Sequence, residues 1–231
     1  MHKRYSADDR KQAMETLLSR FRWPVEEEFM RDSFEILTDP ARKTHVIYWP
    51  RESSGQEPPF NRYLHELGHA LLAESVHPQF GKPSFVRTRD SNLCVTYQPL
   101  FDASLDWFVE QLLMEAAPAF QGPDIDARFK QTAHMLRQGQ ALPSVEFVLD
   151  AGMALAAFQR YRGMETETLG KLREVQAAFL KTAPDKPSLF ALQSLVRMLL
   201  KVFGLHTATL VRERDFERWR IDVVKKATPS P

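Results

Sequence analysis

Two histidines stand four residues apart around a glutamate in Leu64-His65-Glu66-Leu67-Gly68-His69-Ala70-Leu71-Leu72. On a helix, residues at this spacing project from one face a turn apart, so both imidazoles can direct a nitrogen at one ion. Glu66 falls about 100° round the helix from His65, close enough to reach a water beside that ion without ligating it. Two neutral nitrogen ligands and a carboxylate that accepts a proton suit hydrolysis by a metal-activated water. The flanking Tyr63, Leu64, Leu67, Ala70, Leu71 and Leu72 would bury the helix. Polar groups in so apolar a segment need partners, and a metal supplies them.

A second helix is needed to bring a third ligand. The segment Asp102-Ala-Ser-Leu-Asp106-Trp-Phe108-Val-Glu110-Gln-Leu112-Leu-Met114 has an apolar stripe of Phe101, Leu105, Phe108 and Leu112. Asp102 and Asp106 lie on the adjoining row, which turns apolar at Val109 and Leu113, so both carboxylates are expected to be partly buried. Buried carboxylates require a cation, a proton or hydrogen-bond donors. Asp102 as third ligand, with Asp106 accepting from the second nitrogen of a ligand histidine, would satisfy both. The rival account makes them aspartates favoured by the helix dipole in the first turns. Glu110 is the reserve ligand, and His77, eight residues after His69, is a further candidate that more simply ends the helix. Glu74 reads as a surface residue. His134 and His206 read as isolated histidines, and Cys94 as a small buried strand residue.

His65-Glu-Leu-Gly-His-Ala-Leu-Leu72 resembles the active-site helix of the zincin metallopeptidases, on the gluzincin side that includes the ImmA/IrrE-type peptidases. The resemblance extends over residues 44 to 118. Aligned on Leu112-Leu-Met114, it implies Asp102 as third zinc ligand and Asp106 at the position of the family's Asp or Asn. The chain departs from the family pattern in carrying Asp rather than Glu at 102, Leu105 for a small residue and Glu115 where Pro is usual. The resemblance also implies that the strand His45–Trp49 is the edge on which an extended peptide is laid. Tyr63, Arg62 and His134 are residues that could steady an oxyanion, with no spacing argument to choose among them.

The elements that must position these residues follow from periodicity and punctuation. Ser6 caps a helix with apolar positions Met14, Leu17, Leu18 and Phe21, ended at Trp23-Pro24. Residues 25 to 33 read as a short second helix. Phe34–Leu37 and His45–Trp49 form a hairpin turning at Asp39-Pro40, and Pro50 to Pro59 is a loop. The metal helix runs from Asn61 to Val76. Phe85–Thr88 and Leu93–Tyr97 are expected strands, closed by Pro99. From Phe101 the pattern is helical, with later helices at Asp124–Arg137, Ser144–Arg160, Thr166–Thr182, Pro187–Phe203 and Glu213–Val224. The alternating charges of Arg212 to Arg220 read as a solvated, salt-bridged helix.

The whole is expected to be α+β and mainly helical, with a zincin-like core in residues 1–120 and a helical region in 121–231. Composition sets the remaining bounds. With 31 basic and 30 acidic residues, a net charge of +1, the 231-residue chain lacks the basic excess of a nucleic-acid binder. It is 43% hydrophobic and 26% charged, as expected of a globular chain. Its single Cys excludes an internal disulfide and a thiolate-rich zinc site. A polar N-terminal segment and the lack of a long apolar run lead to the expectation of a cytoplasmic protein with no membrane partner. The expected activity is therefore zinc-dependent peptide-bond hydrolysis on a specific intracellular protein, with Glu66 as base and His65, His69 and Asp102 on Zn²⁺. Two alternatives stand beside it. One is a non-haem Fe(II) enzyme with the same two-histidine, one-carboxylate set. The other is a non-enzymatic interaction protein with a structural or vestigial metal site.

Overall fold

The computed structural model describes residues 5–31, 34–50, 60–86, 91–138, 144–204, 206–213 and 216–224. Among them the chain is α+β and mainly helical, with one three-stranded and one two-stranded sheet. It divides into two compact units, Met1–Lys82 with Phe108–Asp124, and Pro83–Trp107 with Ile125–Pro231. In place of a single cut at residue 120, the division is interleaved, because helix α3 (Ser91–Ala116) contributes to both units as one unbroken helix.

In the first unit, α1 (Ala7–Leu18) opens with a capping box. The Ser6 hydroxyl accepts from the Asp9 N–H at 3.1 Å, and Asp9 accepts from the Ser6 N–H at 3.0 Å. Leu17 is fully buried, and α1 packs on α2 (Phe60–Ser75). The sheet is ordered β1 (Val25–Arg31), β3 (Thr44–Pro50), β2 (Glu35–Asp39), with β1 parallel and β2 antiparallel to β3. The β2–β3 hairpin matches the sequence pattern, and Asp39 holds its turn by accepting from the Ala41 and Arg42 N–H groups. The expected loop after β3 lies, from residue 51 to 59, outside the described residues.

Two expectations fail in this unit. Residues 25–31 form β1 rather than a helix. Glu26-Glu-Glu28 favours a helix locally, but the Pro24 carbonyl accepts from the His45 N–H at 2.9 Å and the Thr44 hydroxyl at 3.2 Å. Those bonds align the chain beside β3, and pairing outweighs propensity. The exposed glutamates then suit an edge strand. The strand His45–Trp49 is consequently central, not the edge foreseen for a peptide, because β1 and β2 occupy its two sides.

The second unit begins with the segment Ser84–Val86, which exchanges hydrogen bonds with Trp219: Trp219 N–H to Ser84 C=O at 2.7 Å and Val86 N–H to Trp219 C=O at 2.8 Å. Phe85 is thus extended as expected, while Thr88 lies outside the described residues. Leu93–Tyr97, expected as a strand, is the N-terminal part of α3. Tyr97, Leu100 and Phe101 are buried at spacings of three and four while Val95 and Thr96 are exposed, a helical pattern that tertiary packing enforces over the local β-branched and aromatic character. Pro99 sits inside the helix and removes a backbone donor. The residue four earlier, Val95, whose carbonyl loses that donor, is 75% exposed. Cys94 accordingly lies half-buried on a helix rather than in a strand.

The remaining helices are α4 (Pro118–Arg137), which starts in the first unit, α5 (Val145–Arg162), α6 (Gly170–Lys181) and α7 (Leu189–Phe203). Gly163, with φ of 69°, ends α5 in the left-handed conformation that a glycine adopts without strain. Glu213–Val224 is not a helix. Phe216–Val223 forms β5, antiparallel to β4 (His206–Glu213). Trp219 and Ile221 are buried on alternate positions, and this period of two decides the element over its charge pattern. The charges still pair, Arg218 with Glu213 at 3.0 Å and Arg220 with Asp222 at 2.9 Å. Among the described residues, no helix is long and apolar enough to cross a membrane.

Candidate metal centre

The two histidines lie in the middle of α2, on a half-buried face that contrasts with the buried Leu64, Leu67, Gly68 and Ala70 around them. His65 Nε2 and His69 Nε2 are 3.1 Å apart, with the rings nearly perpendicular at 80°. Two nitrogens at 2.0–2.1 Å from a tetrahedral ion would be separated by about 3.3 Å, so the spacing suits a shared ion. His69 Nδ1 is 3.0 Å from the Phe80 carbonyl, which can only accept. Nδ1 therefore carries the proton, leaving the Nε2 lone pair directed at His65.

The Phe80 carbonyl owes its place to the turn after α2. His77, considered as a ligand, instead caps a 3-10 turn at Pro78–Phe80, its Nδ1 accepting from the Gln79 N–H at 3.3 Å. This turn brings the chain back against α2. Phe80 is fully buried and its ring meets Phe108 edge-on at 5.2 Å, which fixes the carbonyl that orients His69. Nothing in the spacing of the sequence announces a main-chain partner of this kind. The Pro78 turn signal is its only trace.

The third member of the group is Asp106. Ligand-type atoms of His65, His69 and Asp106 all lie within 4.8 Å of one another, and each residue is half-buried. Helix α2 reaches α3 at Gly68, where an added β-carbon would meet Val109 Cγ1 at 2.7 Å. Asp106 stands one turn before Val109 on that continuous helix. Asp102, the ligand expected by alignment, is a further turn away and outside the group, and accepts from the Gln98 amide at 2.8 Å. Along residues 101–110, Asp102 and Asp106 alone are half-buried and the others buried, so the two do share a face as their row predicted. Glu110, the reserve ligand, is buried and stands outside the group.

Glu66 is half-buried beside His65 and outside the group. The residues considered for an oxyanion do not gather here. Tyr63 is buried between Trp49 and Phe34, with ring centroids at 5.8 and 5.5 Å. Burial, and secondarily the charge of Glu27, push its phenol up to about 12. Arg62 reaches the Phe34 carbonyl at 3.4 Å, and exposed His134 meets Gln138 at 2.9 Å. His206 is likewise not isolated, since its Nδ1 lies 2.8 Å from the Tyr97 hydroxyl.

A second polar cluster sits at the far end of α2. Glu74 is not a surface residue: its side chain is 3% exposed. It accepts from the Arg22 N–H at 2.7 Å, the Trp23 N–H at 3.3 Å and His45 Nε2 at 2.9 Å. Thr38 Oγ1 lies 2.9 Å from His45 Nδ1, and Trp23 stacks on the imidazole at 5.4 Å. Burial holds His45 below the ordinary histidine pKa, with Glu74 pulling the other way through its hydrogen bond and charge.

No family model, curated protein or solved structure matches this chain. The chemistry of the site therefore stands on its geometry.

Proposed function

We propose that the protein is a metal-dependent hydrolase, a metallopeptidase that cleaves a peptide bond in a specific intracellular protein. One observation carries the reading: His65, His69 and Asp106 converge within 4.8 Å, with Glu66 next to the first ligand. Two nitrogens and one carboxylate oxygen would give an ion three protein ligands, the composition of a catalytic rather than a structural zinc site. A Zn²⁺ bound there supplies Lewis acidity, lowering the pKa of water towards about 7 and polarising a carbonyl.

The chain's own groups divide the rest of the work. His65 and His69 would hold the ion through imidazole nitrogens, and the Phe80 carbonyl, by accepting from the His69 Nδ1–H, would leave His69 Nε2 for it. Asp106 adds the negative charge that offsets the ion. Glu66 takes the proton from the attacking water and delivers it to the leaving amine. The same three ligands also suit Fe(II), but iron chemistry has no use for a glutamate directly after the first histidine, and Glu66 favours hydrolysis.

The test pairs metal content with activity. Protein purified without added metal is expected to carry about one zinc per chain, and His65→Ala to carry none. Glu66→Gln should keep the zinc and lose about 10²- to 10⁴-fold in peptide hydrolysis. Wild-type protein that takes up no zinc overturns the proposal. Hydrolysis that survives Glu66→Gln undiminished assigns the base elsewhere.

A further inference from the structure

We infer that Gly68 is a positioning residue for the metal group: by setting the distance between α2 and α3, it sets the fit of a divalent ion between His65, His69 and Asp106. The inference rests on the metal-site reading above and adds a determinant outside the ligands. A β-carbon on Gly68 would lie 2.7 Å from Val109 Cγ1 and 3.7 Å from Leu112 Cδ2. Carbon atoms settle about 3.5–4.0 Å apart, so a methyl group there demands about 1 Å more room. Val109 cannot swing aside, being fully buried and β-branched on a helix, where a single χ1 well dominates. The helices must part instead.

The ligands sit where that parting is felt most. His69 adjoins Gly68 and His65 is one turn before it, while Asp106 is one turn before Val109. Metal–ligand distances tolerate only about 0.2 Å. A shift that the fold accommodates is therefore several times larger than the site can accept.

The second unit contains a matched control. On α5, a β-carbon at Gly152 would collide with Val175 of α6. Ala151, Leu155 and Leu172 are buried nearby, and the buried Gln176 beside Val175 has its amide held by Gln159 and Thr166. The same glycine-to-alanine change there overpacks a helix crossing that holds no part of the metal group.

The experiment titrates the purified protein with Zn²⁺ against a competing chelator, records the ligand-field band of bound Co²⁺, and follows folding by circular dichroism. Gly68→Ala is expected to weaken Zn²⁺ binding roughly 10- to 100-fold and to alter the Co²⁺ band. Gly152→Ala should leave both unchanged. Removing the clash in Gly68→Ala/Val109→Ala should restore affinity to near the wild-type value. If Gly68→Ala does not fold, Val109→Ala is compared with the double variant, and similar affinities are expected. Gly68→Ala that binds as wild type, or a folded double variant that stays weak, overturns the inference while leaving the metal site intact. A wild type that binds no Zn²⁺ overturns both.

Discussion

Helix α2 carries polar side chains at two levels, and the difference between them sets the proposed metal site apart from a cluster that serves the fold. At its C-terminal end, Glu74 and His45 are buried, and the protein answers each group. The carboxylate takes two backbone N–H groups and an imidazole, and the imidazole has Thr38 on its other nitrogen. In the middle of the helix, His65 and His69 are half-buried and turn Nε2 towards each other at 3.1 Å, with an aspartate beside them. The first cluster has spent its lone pairs on the fold. The second brings two imidazole nitrogens and a carboxylate within 4.8 Å of one another, with the Phe80 carbonyl orienting His69.

The largest expected effect comes from breaking the closed cluster. Glu74→Ala would leave the Arg22 and Trp23 N–H groups and His45 Nε2 without their buried acceptor. The loss should be about 3 kcal/mol or more in denaturant unfolding. Protein that remains folded is expected to bind Zn²⁺ as wild type does. A metal affinity that falls with Glu74→Ala would show the two levels of α2 to be coupled.

The open cluster should respond in the opposite way. Asp106→Ala removes a ligand, and Zn²⁺ affinity is expected to fall at least about 100-fold, some 2.7 kcal/mol, with little change in unfolding. Asp102→Ala should bind within about threefold of wild type. Measured Kd values in which Asp102→Ala is the weaker variant would return the ligand role to the residue that alignment chose.

These two pairs of residues also mark what the sequence can and cannot disclose. The His-Glu-x-x-His helix, the Ser6-capped helix and the β2–β3 hairpin are legible because each is encoded within a few consecutive residues. Asp106 and Glu74 are not, because their roles depend on how α2 is seated. An alignment by Leu112-Leu-Met114 picks Asp102. The structure instead groups Asp106, a turn later, with the histidines, a placement that joins residues far apart in the chain. Glu74 lies off the histidine face and so looks solvent-facing in the sequence, but the chain leaving α1 folds over that side and buries it. β1 and β5 escape the sequence pattern for a related reason. Their charged residues suit helices in isolation, and only the partner strands β3 and β4 make them extended.

The smallest effect distinguishes the clusters by pH. Burial makes folded His45 take up its proton at a lower pH than the unfolded chain does. Between the two pKa values only the unfolded state is protonated, so acidification draws the equilibrium towards it. Stability from this residue is complete above the ordinary value of about 6.5 and declines as pH falls below it, by at most about 1.4 kcal/mol per pH unit. Replacing His45 with Gln removes the proton uptake while keeping an amide that can reach Glu74. Unfolding free energies compared between pH values of about 7.5 and 5.5 in metal-free protein should therefore vary less in His45→Gln than in wild type. An unchanged slope would mean that the buried imidazole is not the group that senses acid, and that the closed end of α2 is as indifferent to protons as it is expected to be to metal.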